Sequence, residues 1–162
     1  MPSRRHFDPD HYLETDEGRL FTKERNAAAW EQAYSELQVA LQDSNDAAKL
    51  YVVIGVQGAG KSRWIEANAH RLGQHAYFFD AALPKAKHRE RVLAIAKSCA
   101  VPVVAVWVNV PVEVALARNQ GRRSDHRVPE DAVRSVFAMM EPPSPCEGFI
   151  EITEVAYECE RG

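Results

Sequence analysis

The chain has 162 residues, of which 46% are hydrophobic and 27% charged, a composition that fits one soluble globular domain spanning 1–162. A formal net charge of −3 excludes a chain-wide basic field, so any affinity for nucleic acid must come from local clusters of Lys and Arg. The start, "MPSRRHFDPDHYLETDEG", has no apolar stretch after its arginines, and no later run is long enough to cross a bilayer.

The expectation is therefore a cytoplasmic protein without membrane partners. Cys99, Cys146 and Cys159 are odd in number and lack C-x-x-C spacing, which suggests neither a disulfide framework nor a zinc site. In chain order, "HYLETDEGRLFT" carries apolar residues on either side of Asp-Glu-Gly and reads as a short hairpin. From Lys23 to Gln42, Ala27, Trp30, Tyr34, Leu37 and Leu41 recur at three and four and predict an amphipathic helix, which "DSNDAAK" ends. Residues 1–49 thus read as a hairpin and helix extension, and 50–162 as the core.

"LYVVIG" is a short, β-branched run of the kind buried on both faces of a parallel sheet. Glycines follow, then "KSRWIEANAHRL", whose Trp64, Ile65, Ala69 and Leu72 mark a helix face. The runs "HAYFFD", "VPVVAVWVNV" and "GFIEI" supply further strands. Between the first two, Pro84 suits a helix start, and Val92, Ile95, Ala96 and Cys99 form its inward stripe. Between the last two lie helical patterns in "PVEVALARNQGRR" and "VPEDAVRSVFAMM", joined by an arginine-rich link. Strands alternating with helices predict an α/β fold with a short parallel sheet of about four strands.

Gly55, Gly60, Lys61 and Ser62 satisfy G-x-x-x-x-G-K-[ST], with a further glycine at Gly58, between a strand and a helix. Such glycines let backbone N–H groups converge on phosphates, the lysine adds a point charge, and the hydroxyl takes a magnesium site. The loop residues Gly55, Gly58, Ala59, Gly60, Lys61, Ser62 and Arg63 are the candidate nucleotide contacts. No guanine-reading Asn-Lys-x-Asp and no D-x-x-G switch follows, and the most apolar strand ends "VWVNV" without the adjacent acids of a motor ATPase. Asp80, at the end of "YFFD", is the acid placed to face Ser62, magnesium and an acceptor, or else caps the following helix. Arg118 and Arg122 lie four apart, so on a helix they share a face, and Arg123 and Arg127 follow. Composition alone reads this cluster as an exposed, solvated basic face, whereas a mobile, arginine-bearing lid would supply positive charge over a departing γ-phosphate.

The run from "GVQGAGKS" through "FFDAALPKAKHRERVLAIAKSCAVPVVAVWVNVPVEVALARNQGRR" to "RVPEDAVRSVFAMMEPPSPCEGFIEI" resembles the kinase domain of the polynucleotide 5′-kinase family, itself similar to zeta-type toxin kinases. The resemblance runs from Leu50 onward. It implies a three-layer P-loop NTPase fold with the strands in the spatial order "YFFD", "YVVIG", "VVAVWVN", "FIEI", and transfer of the ATP γ-phosphate, with Mg2+, to a hydroxyl of a nucleic acid 5′ end or a small molecule. It further implies Lys61 and Ser62 at the phosphates and metal, and Arg118 and Arg122 as lid residues near adenine and phosphates. The expected catalytic set is Lys61, Asp80 and Arg122, with Ser62 and Asp80 at the metal.

In that family the loop helix is followed by a strand ending in an Arg-Asp-Asp-type stretch, which holds the general base. Here "IEANAHRLGQ" passes directly to "HAYFFDAALP", so the acceptor segment is expected to be missing. Three alternatives follow. Asp80 does both jobs; the base comes from the N-terminal acids Asp8, Asp10, Glu14, Asp16 and Glu17, otherwise a solvated acidic surface; or the protein is an ATP-binding regulatory module that transfers nothing. Lys85, Lys87, His88, Arg89 and Arg91 are either a dock for a phosphate-bearing acceptor or an exposed helix face. His70, His75 and His126 suggest no metal site, and Trp30, Trp64 and Trp107 read as core.

Overall fold

The computed structural model describes residues 5–157; Cys159 lies outside them. A central strand, β4 (Lys49–Ile54), pairs in parallel with β5 (Ala76–Ala81) on one side and β6 (Val103–Asn109) on the other, and β7 (Glu151–Ala156) adds in parallel beyond β6. The four strands stand in the order expected from the sequence. A fifth does not come from the core at all: β1 (His6–Phe7) pairs in parallel with the free edge of β5, giving the order β1-β5-β4-β6-β7. A two-residue strand is too short to show periodicity, which is why the sequence reading stops at four.

Two cores sandwich this sheet, as a three-layer P-loop fold requires. Alternation along β4 sends Leu50, Val52 and Ile54 to one face, where they meet Phe79 of β5 and the helices α1 (Lys23–Gln42) and α3 (Ala86–Ser98). Val53 points the other way, with Phe78, Val104 and Val106, toward α2 (Lys61–Leu72), α4 (Val112–Gln120) and α5 (Glu130–Met139). Helix α1 begins at Thr22, whose hydroxyl accepts from Arg25 N at 3.1 Å, and buries Ala29, Ala33, Tyr34, Leu37 and Leu41. Ala27, assigned to its inner stripe from spacing, is exposed, while Trp30 and Tyr34 pack on Phe79. The N-terminal hairpin forms as β2 (Glu14–Thr15) against β3 (Gly18–Arg19), turning at Asp16 and Glu17. Among the described residues no helix is long and apolar enough to cross a membrane.

The basic run at the start of α3 is neither a free dock nor a uniformly solvated face. Arg89 is wholly buried: its guanidinium donates to the carbonyls of Leu83, Pro84 and Glu141 and to the Glu147 carboxylate at 3.0 Å. It thereby holds the turn after β5, where Leu83 has φ of 42°, to the segment after α5. Arg91 pairs with Glu31 and stacks on Tyr34, and His88 Nδ1 accepts from Lys85 N at 3.1 Å.

Removing one partner of a buried ion pair leaves the other charge without solvent or counter-ion. Arg89→Met is therefore expected to cost about 3–5 kcal/mol of stability, read from denaturant unfolding, with Glu147→Gln losing part of the same energy. A change below 1 kcal/mol would show that the clamp holds nothing.

Candidate functional site

Parallel strands deliver their chain ends to one edge of a sheet, and ligands collect there. The loop after β4 turns at Gly58 (φ +84°) and Gly60 (φ +104°) and enters the 12-residue helix α2 at Lys61. The glycines are required by space as well as by φ. A Cβ at Gly58 would sit 2.3 Å from Ala115 O, and one at Gly55 2.9 Å from Val108 O. Gly60 caps α2 without any side-chain hydrogen bond, so the first N–H groups of the helix point into the loop's concavity.

Lys61 folds back over this cradle, donating from Nζ to Gly55 O at 2.9 Å and Val56 O at 3.1 Å. It is half-buried. Burial pulls its ammonium below the usual range, against the opposing carboxylates of Asp80, Asp8 and Asp10, and the Arg122 guanidinium adds to the depression. The next residue, Ser62, donates from Oγ to Asp80 Oδ2 at 2.6 Å, so the hydroxyl and the strand-end acid meet as expected. Asp80 is only 4% exposed. Burial alone would raise its pKa, but hydrogen bonds from His6 and Ser62 and the Lys61 charge hold it below the usual carboxylate range. An exposed hydroxyl on a buried carboxylate, beside an ammonium and an uncapped helix start, is a donor set that fits a hard cation carried by a polyphosphate. Ser62 and Asp80 would hold that ion. Gln57 Oε1, buried in the same loop, has no hydrogen-bond partner among the described residues.

On the far side of Asp80 the N-terminal segment brings residues that the sequence reading left among surface acids. His6 Nε2 donates to Asp80 Oδ2 at 3.0 Å. Ligand atoms of His6, Asp8 and Asp80 lie within 4.8 Å of one another. The register explains this: Phe7 is level with Phe79 and buried to 1%, so His6 and Asp8 flank it on the opposite face, and Asp8 comes level with Asp80. Their only sequence signal is the polar-apolar-polar triplet "HFD" ahead of Pro9. Asp8 caps the 3-10 turn Pro9–Leu13 by accepting from Asp10 N at 2.9 Å. Burial, then the charges of Asp80 and Asp10, push its carboxyl up to about 6, against the Asp10 N–H and His6.

The arginine segment divides. Helix α4 ends at Gln120 with Gly121 as its cap, so Arg122 lies beyond it and shares no helix face with Arg118, contrary to the spacing argument. Arg118 Nη1 donates to Ala59 O at 2.8 Å, its guanidinium 5.8 Å from the Tyr157 ring. Arg122 is half-buried, and its guanidinium makes no hydrogen bond or ion pair among the described residues. Arg63 is exposed on the first turn of α2. Buried Asn119 ties the arginine segment back to α4, donating to Val128 O at 2.5 Å and accepting from Val128 N at 3.0 Å. The segment also leans on the hairpin, a contact with no local signal. Arg19 N donates to Asp125 Oδ2 at 2.8 Å, and His126 Nε2 lies 2.9 Å from Glu14 Oε1. A hydrogen bond from Arg123 and the Arg19 N–H hold Asp125 far below its usual range.

A family model described as an AAA domain matches residues 67–143, beginning beyond the phosphate loop. No curated protein sequence matches the chain. Among solved structures, an unliganded sugar kinase from Janibacter sp. HTCC2649 is similar, with 16% identity, a TM-score of 0.45, and coverage of 67% of this chain and 86% of that one.

Two outcomes follow from the geometry. Gly58→Ala should abolish nucleotide binding while the sheet still forms, because the new Cβ must displace α4 from the loop; equilibrium binding of a fluorescent ATP analogue measures it. Asp8 has a folded pKa of about 6 against 3.8 in the unfolded chain, so the folded state holds the extra proton between these values and stability falls as pH rises through them. Asp8→Asn, facing His6, Asp10 and Asp80, should therefore raise the melting temperature at pH 8 and lose that advantage at pH 4.

Proposed function

We propose that this protein is an ATP-dependent phosphotransferase whose acceptor is a hydroxyl group, with residues 50–162 as the nucleotide core and lid and 1–49 as an extension working with it. The observation that carries the reading is the Ser62 Oγ to Asp80 Oδ2 contact of 2.6 Å beside Lys61, at the common edge of β4 and β5. In this reading Lys61 and the amides opening α2 hold the β- and γ-phosphates, and Ser62 with Asp80 holds magnesium. When bound, the ion would neutralise charge on the phosphates. Arg122, with its guanidinium uncommitted and near enough to Lys61 to depress its pKa, would close over the γ-phosphate and shed water from it. Arg118 keeps the loop's Ala59 carbonyl in place and offers the adenine side a cation.

What supports transfer over a nucleotide-binding module without chemistry is β1. The module reading drew on the absence of an acceptor strand after the loop helix, and β1 now lies at that edge, beside β5. The acceptor side carries Asp8 and Asp10, while Arg89 and Arg91 are consumed by structural contacts. This favours a small, uncharged hydroxyl compound over the phosphate-bearing end of a nucleic acid.

ATP consumption measured against pooled sugars, nucleosides and oligonucleotides tests the reading. Transfer above the rate without acceptor is expected for the sugar or nucleoside pools. Lys61→Ala should abolish it with the fold intact, and Arg122→Ala should lower the rate far more than ATP affinity. Tight ATP binding with no turnover in any pool would leave the binding module standing.

A further inference from the structure

In the structure the Oδ2 of Asp80 is already engaged, taking the Ser62 hydroxyl and the His6 ring together. A group that accepts a proton from an incoming alcohol must be a second carboxylate within reach of the same point, yet outside the phosphate cradle. The loop helix supplies none. The chain reaches Asp80 directly after α2, and the later strand β6 ends in Asn109, which donates from Nδ2 to Glu154 at 2.8 Å.

We propose that Asp8, carried to the edge of the sheet by strand β1 and set level with Asp80, is the catalytic base that takes the proton of the acceptor hydroxyl. The assignment rests on the phosphotransferase reading. Three observations converge on it. Phe7 is buried to 1% against the α1 face, which fixes the short strand and turns its neighbours His6 and Asp8 toward the α2 face, where Ser62 begins its helix. The Asp8 ligand atom lies within 4.8 Å of those of Asp80 and His6, close enough for one acceptor oxygen to approach both carboxylates. The cap to Asp10 N uses Oδ1 alone, and Oδ2 makes no hydrogen bond among the described residues. His6 becomes the positioning residue, bridging the strand that carries the base to Asp80.

The step balances without any further reactant. The acceptor oxygen forms its bond to the γ-phosphorus as its O–H proton passes to Asp8 Oδ2. The bond from the γ-phosphorus to the bridging oxygen breaks, and ADP leaves with that electron pair. Asp8 then returns the proton to water. On this account the missing acceptor strand has been replaced from the other end of the chain, with the base following the edge strand by one residue.

The deciding experiment is a structure of the full chain with ADP, magnesium and aluminium fluoride, in which water fills the acceptor position. The Asp8 carboxylate is expected within hydrogen-bond reach, about 3 Å, of the axial oxygen opposite ADP. Contact of that oxygen with Asp80 instead overturns the assignment while leaving the phosphotransferase intact. A parent protein that binds no ADP–aluminium fluoride overturns both. In solution, Asp8→Asn should lower turnover, against acceptor or water, by about a hundredfold or more with ATP affinity unchanged. A variant that folds and turns over as fast as the parent refutes the role, and so does one that loses magnesium-dependent ATP binding as Asp80→Asn would.

Discussion

The hydrogen bond from Ser62 to Asp80 is the contact around which the molecule is organised, because it joins the first turn of one helix to the end of a neighbouring strand. It forms only if β4 and β5 are parallel, adjacent and in the register that sets Val53 level with Asp80. That register in turn follows from burial on both faces. Slipping β5 by one residue would exchange Phe79 and Phe78 between the two cores and carry Asp80 away from the phosphate loop. The hydrophobic pattern therefore sets the position of a polar pair to a fraction of an ångström. A 4% exposed carboxylate is tolerated there because the hydroxyl, the imidazole and the ammonium together compensate its desolvation.

The N-terminal segment serves two ends of this arrangement. Its strand supplies His6 and Asp8 beside Asp80, and its hairpin meets the arginine segment after α4 through Arg19, Glu14 and Asp125. Any side chain at Gly18 would press on that meeting point, since a Cβ there would lie 2.7 Å from Asp125 Oδ2. The surroundings of Asp80 and the arginine segment after α4 are thus both held by residues that precede the core, and a shift of the segment would reach each of them. The acids of the segment are not uniformly a solvated surface: Asp8 is half-buried with its carboxyl raised, while Glu14 pairs with Arg19 and Asp16 and Glu17 are exposed.

Local patterns reported well where the physics is local. The spacing of apolar residues gave α1 its bounds, Lys23 to Gln42, because an amphipathic helix declares its buried face every three or four residues. The phosphate loop declared itself because its glycines answer to steric limits within a few residues of chain. Asp80 was legible as the last polar residue of an apolar strand. The α4 boundary was misread because the charge spacing of Arg118 and Arg122 says nothing about where the helix ends, and Gly121 ends it between them. Arg89 was misread for a related reason: a cation in a basic run looks solvated until the carbonyls of Leu83, Pro84 and Glu141 converge on it.

By itself the sequence determined the layered α/β fold and the phosphate loop with its lysine, serine and strand-end acid, since each is written in periodicity or in close spacing; the order of the four core strands came from the family resemblance. Only the tertiary structure decided what stands on the other side of Asp80. A strand of two residues has no period to read, and its place at the β5 edge depends on Phe7 finding a pocket built by elements far along the chain. The approach of Arg122 to Lys61, the contact of the hairpin with Asp125 and the place of Asp8 beside Asp80 follow from the same cause, because contacts between distant segments leave no mark on the spacing of either one.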